Sequence, residues 1–161
     1  MAINKKAIAG AVVIVLIVGG FWYLNNKKFD PSVDVRAFKT AGEFENYYKN
    51  LDELYKKDTY GGATPEETLA LFIEALKKGD TELAAKYFVL EKQKEEAGEL
   101  LVGKNNGVLN LLIGDLEKEK IGSNFSEGKY RFVTHDNNNN AEFQFDLVFN
   151  PFTKVWKIES L

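Results

Sequence analysis

Apolar residues recur at spacings of three and four over most of the chain, and from residue 119 the spacing changes to two. Over residues 37–57, Phe38, Ala41, Phe44, Tyr48, Leu51 and Tyr55 share one stripe, which Tyr47 and Leu54 widen. Glu43, Lys49, Asp52, Glu53 and Lys56 lie opposite, so the pattern predicts an amphipathic helix, packed on the domain or standing as a stalk. In residues 64–88 two short helices are predicted. Thr64 is placed to cap the first, Pro65 suits its first turn, and Glu67 completes a capping box. Leu69, Phe72, Ile73 and Leu76 form its buried stripe, and Gly79 ends it as a left-handed residue. Asp80 then caps a second helix, in which Leu83, Ala84, Tyr87 and Phe88 repeat the spacing. Residues 91–118 continue helical, with a break at the turn Asn105-Asn106-Gly107.

The period of two is clearest over residues 141–149. Phe143, Phe145, Leu147 and Phe149 fall on one face, and Glu142, Gln144 and Asp146 on the other. Residues 129–134 and 155–159 alternate in the same way, separated by a hairpin loop at 136–140 and a turn at 150–153. Short loops make neighbouring strands antiparallel. Helices covering one face of such a sheet are an α+β layer architecture.

Residues 7–24 break both patterns, being uncharged and apolar all round. As a helix they span about 27 Å, close to the thickness of a bilayer core. Ala7, Val12, Leu16 and Val18 lie within the span, Trp22 and Tyr23 stand where an interfacial aromatic belt belongs, and lysines flank both ends. The segment is expected to be an uncleaved anchor. A cleaved signal peptide ending near Val18-Gly19-Gly20 is the alternative. The short basic N-terminus places the remainder outside the cytoplasm, so the chain divides into an anchor with flanks (1–28), a linker and amphipathic helix (29–62) and an α+β domain (63–161). The lipid bilayer is the first expected partner. Gly10, Gly19 and Gly20 also leave room for close helix packing in a membrane or surface assembly.

Charge and composition narrow the rest. Four of the 21 basic residues lie in residues 1–28, which hold no acid, so the remainder carries 17 bases against 24 acids, a balance of −7. An acidic folded part argues against nucleic acid as a partner. The absence of cysteine from the chain removes thiol nucleophiles, thiolate metal sites and disulfides. His135 is the only histidine and stands beside the hairpin loop, where exposure is expected. Asp136, Asn138 and Asn140 have the alternate spacing of a calcium loop, but Ala141 stands where that loop needs glycine and Leu147 where it needs glutamate. No metal and no cofactor are expected. Asn124-Phe125-Ser126 is a glycosylation sequon.

The Thr64-Pro65-Glu66 helix start, the Gly79-Asp80 punctuation before Ala84 and Lys86-Tyr87-Phe88, and the closing Val155-Trp156-Lys157-Ile158 strand resemble the nuclear-transport-factor-2-like superfamily over residues 63–161. The resemblance implies a cone-like fold, with helices packed on a curved antiparallel sheet around a pocket. Tyr87, Phe132, Phe143, Phe145 and Trp156 are its implied lining. The superfamily includes isomerases and cyclases, and by that analogy Asp146 and Tyr130 are catalytic candidates. Asp146 alternates out of phase with Phe143, Phe145 and Leu147, so it faces water unless the sheet turns its other face into the pocket. The superfamily also includes small bacterial membrane-anchored domains. The expected function is therefore a membrane-anchored, non-catalytic module of the cell envelope that binds a protein partner or an apolar small ligand, with an isomerase- or cyclase-like enzyme as the alternative.

Overall fold

A computed structural model describes residues 29–136 and 138–161. The expected anchor, with Ala7, Val12, Leu16, Val18, Trp22 and Tyr23, lies outside the described residues, among which no helix is long and apolar enough to cross a membrane. Pro31–Leu161 forms one compact unit. It is an α+β fold in which five α-helices precede a four-stranded antiparallel sheet. The helices are α1 (Ala41–Tyr55), α2 (Pro65–Lys77), α3 (Thr81–Ala85), α4 (Gln93–Asn105) and α5 (Leu109–Glu117). The strands are β1 (Lys120–Ser126), β2 (Lys129–His135), β3 (Ala141–Asn150) and β4 (Val155–Ser160), which lie side by side in chain order.

Local signals set the helix ends. Thr40 and Glu43 form a reciprocal capping box at α1: the Thr40 hydroxyl accepts from the Glu43 amide at 3.2 Å, and the Glu43 carboxylate from the Thr40 amide at 3.3 Å. The Thr64 hydroxyl caps α2 through the Glu67 amide at 3.2 Å, but the Glu67 carboxylate reaches back to Ala63 at 2.7 Å. Gly79, at φ +67°, closes α2 with a Schellman pair, its amide donating to Leu76 at 2.8 Å and that of Asp80 to Ala75 at 3.0 Å. Gly107, at φ +74°, ends α4 in the same way.

Helix α3 is shorter than the spacing predicts. It ends at Ala85, and Tyr87 and Phe88 leave it to run beside β4. The Ile158 amide donates to the Tyr87 carbonyl and the Val89 amide to the Ile158 carbonyl, each at 2.9 Å. These bonds satisfy the segment's backbone as well as another helical turn would, and they cover one edge of the sheet. The Trp156 amide continues the cover by donating to Gly62 at 2.9 Å. The other edge is β1, a strand that the spacing of two does not single out. Only Ile121 and Phe125 are large and apolar in it, and both are exposed.

Four helices build the core with the sheet. Leu69, Phe72 and Leu76 of α2, Ala84 of α3, Leu100 of α4, and Ile113 and Leu116 of α5 pack with Phe132, Phe145, Leu147 and Ile158. The register pairs Phe132 with Phe145 and Leu147 with Ile158, which puts all four on one face. Helix α1 buries less than its stripe implies. Tyr47 and Leu51 are buried, while Phe44 and Tyr48 are exposed. Residues 31–38 fold back on it, with the Tyr47 hydroxyl donating to the Pro31 carbonyl at 2.6 Å and the Phe38 ring 5.2 Å from that of Tyr47.

The last turn of α1 is tied down through Tyr55. Its hydroxyl donates to Glu91 Oε2 at 2.5 Å and accepts from the Leu90 amide at 3.2 Å. Burial first, and then the bond to Glu91, push the Tyr55 phenol well above its ordinary value of 10.0. The folded chain therefore holds this proton where the unfolded chain releases it, and stability falls as pH rises above about 10. Tyr55→Phe is expected to flatten that alkaline loss, as read from urea unfolding midpoints between neutral pH and the alkaline range.

Candidate functional site

Two clusters of polar side chains stand out, one buried and one at the surface. The first joins β4 to the loop after α1. Lys157 points away from the core face, yet its side chain is 0% exposed. Its ammonium donates to the carbonyls of Tyr60 at 2.8 Å and Lys86 at 2.6 Å. Asp58 Oδ2 lies 2.7 Å away, off the direction of a regular hydrogen bond. Asn150 and Thr153, at the β3–β4 turn, donate to the carbonyls of Tyr55 and Asp58 at 2.9 and 2.7 Å. Burial lowers the Lys157 pKa against the opposing pull of Asp58. An ammonium with three oxygens around it is a fastening rather than a nucleophile.

The second cluster is a groove of about 350 Å³ between α2 and the β1–β2 edge. Leu69, Ala70, Ile73 and Phe132 form its apolar wall, with Glu66, Lys120 and Tyr130 as its polar groups. The Tyr130 hydroxyl donates to Glu66 Oε1 at 3.1 Å. Its ring lies 5.0 Å from that of Phe132 and 6.1 Å from that of Trp156. Gly122 makes room for that ring, since a Cβ there would stand 2.3 Å from the Tyr130 hydroxyl oxygen. Burial, then the bond to Glu66, raise the Tyr130 pKa, so the phenol keeps its proton. Burial lowers the Lys120 pKa, with Glu117 opposing. The groove thus offers the Lys120 side chain as a donor at the rim of an apolar trough, beside a Tyr130–Glu66 pair whose phenol proton is already given to the carboxylate. That combination suits a small apolar body with an acceptor or anionic end.

Of the residues singled out from sequence, Tyr130 and Phe132 line this groove. Tyr87 and Phe145 are buried in the core cluster, and Phe143 and Trp156 pack against it. Asp146 lies on the opposite face of the sheet from Tyr130, because it pairs with Arg131 and Tyr130 pairs with Leu147. Arg131 grips both Asp146 carboxylate oxygens, at 2.6 and 2.7 Å. Glu66 and Lys120 carry no motif. The one local signal for the groove is Gly122, a glycine inside a strand, which marks a close approach.

The Asp136 carboxylate is engaged in its own turn. It accepts from the amides of Asn138 and Asn140, each at 2.8 Å, while Asn139 takes φ 64°. Among the described residues no group of three or more metal-ligating side chains converges. His135 is half-buried at the end of β2. Compared with known proteins, the chain matches no family model, no curated protein and no solved structure.

Proposed function

We propose that the chain is a single-pass membrane protein of the cell envelope, held by residues 7–24, whose extracytoplasmic part is a non-catalytic binding module of the nuclear-transport-factor-2-like kind. The apolar run with its lysine flanks supports the anchor. The α+β layering, with helices first and the antiparallel sheet last, is compatible with the fold. The observation that carries the binding reading is the groove beside β1, where Lys120 presents a donor over an apolar wall, next to the Tyr130–Glu66 pair. The acid that an isomerase-like reaction would use, Asp146, is held by Arg131 on the other face. The ligand class is a small apolar molecule, or a partner's side chain, with an acceptor end.

The test is a titration of the full chain in lipid nanodiscs with 2-naphthoate, followed by amide NMR shifts. Shifts are expected at Ala70, Gly122 and Phe132. Lys120→Ala is expected to weaken binding about tenfold, in line with the loss of one charge-assisted hydrogen bond. Shifts confined to other parts of the chain, or a Lys120→Ala variant that binds as well as the parent, would refute the reading.

A further inference from the structure

The α4–α5 hairpin carries a second surface, independent of the groove beside β1. Leu101 and Val102 in the last turns of α4, Val108 at the connection and Leu111 in α5 are all exposed, Leu111 by 70%. Of these four, Val108 also lines the space between the two helices. Beside them a trough of about 270 Å³ runs between the two helices, with Leu100, Val108 and Leu112 in its wall. Among the described residues that line it, the charged side chains are Glu96 and Glu99, and Leu161 borders it as well. The two acids lie three residues apart on α4 and so are neighbours of like charge. Burial first, and then the Glu99 charge, raise the Glu96 pKa against the opposing pull of Lys92, so further positive charge beside the two acids is favoured.

The geometry points to a docking site for a basic amphipathic helix of a partner protein. Its apolar side chains fill the trough between α4 and α5, and its lysines or arginines lie against Glu96 and Glu99. This is helix-in-groove recognition, with the apolar wall supplying affinity and the acids supplying choice. The same two acids disfavour the other occupants. A second copy docked by the same face would bring Glu96 and Glu99 towards their counterparts. An anionic lipid surface would be repelled.

The test uses the full chain in nanodiscs of zwitterionic lipid. The probe is a fluorescently labelled synthetic helix with leucine on one face and lysine on the other, and its control is the same helix with glutamate for lysine. Fluorescence anisotropy is expected to show saturable binding of the lysine helix and at least about tenfold weaker binding of the glutamate helix. The double variant Glu96→Lys, Glu99→Lys is expected to reverse that preference. Glu99→Lys alone, at an exposed position, should move it in the same direction, and Val108→Ser, in the trough wall and exposed, should weaken both helices. Circular dichroism confirms that each variant is folded. Equal binding of the two helices, no saturable binding of the lysine helix, or a preference that survives both charge reversals would overturn the proposal. So would self-association of the parent chain that Val108→Ser abolishes, or binding to anionic vesicles that it abolishes.

Discussion

Lys157→Ala is expected to destabilise the folded unit by about 3–5 kcal/mol, the cost of leaving one partner of a buried ion pair uncompensated. The Lys157 side chain is 0% exposed and that of Asp58 is 4% exposed, so water cannot replace the lost ammonium. The carbonyls of Tyr60 and Lys86 lose their donor in the same step. The measurement is the urea midpoint at unchanged slope. The double variant Asp58→Asn, Lys157→Met removes both charges and keeps most of the volume, and it is expected to be more stable than Lys157→Ala alone. Lys49→Ala, on the exposed side of α1, should stay within about 0.5 kcal/mol of the parent. A Lys157→Ala variant as stable as Lys49→Ala would mean that the cluster holds nothing together. The pH dependence has a sign of its own. The Lys157 pKa is lower in the folded chain, so the unfolded chain binds the proton more tightly. Its contribution to stability therefore rises between that lowered value and the ordinary 10.5, opposite to the contribution of Tyr55.

Phe88→Ala is expected to cost a similar amount, about 3–5 kcal/mol, through lost burial and the cavity left behind. Phe88 is fully buried, and its ring meets that of Phe72 edge-on at 5.4 Å. It also sits in the segment that covers the edge of β4, so its loss loosens the two backbone bonds that flank it. Phe152, exposed in the β3–β4 turn with the Lys56 ammonium 5.7 Å from its ring, is the contrast. Phe152→Ala should cost no more than about 1 kcal/mol. Thermal and urea unfolding of the two variants side by side check the difference, and equal losses would contradict the core described above.

Helix ends were readable because their causes are local. Thr64, Pro65, Gly79, Asp80 and Gly107 act within a turn of where they stand. The alternation of Phe143, Phe145 and Leu147 also survives, because one face of β3 is packed against helices. What local pattern misses is decided by distant partners. Phe88 has helical spacing, but the free edge of β4 claims its neighbours' backbone groups. Lys157 alternates onto the outer face, where a lysine normally meets water, and only the arrival of Asp58 and Tyr60 buries it. The stripe of α1 implies a fully covered face, yet Phe44 and Tyr48 remain exposed. The groove divides in the same way. Tyr130 and Phe132 stand out as aromatic residues on an alternating strand. Glu66 and Lys120 join them only because α2 and β1, far apart in the chain, border one trough.

The proposed function requires a binding unit held at the membrane from its N-terminal side, outside the cytoplasm. Because the chain has no cysteine, a single one placed at the exposed Glu127 reports on that arrangement without background. The measurement is labelling of Glu127→Cys by a membrane-impermeant maleimide in intact cells, with the labelled chain counted in the pellet after a carbonate wash. Labelling before lysis, with the label staying in the membrane pellet, is the predicted result. A chain that labels only after lysis, or that the wash releases, would contradict it.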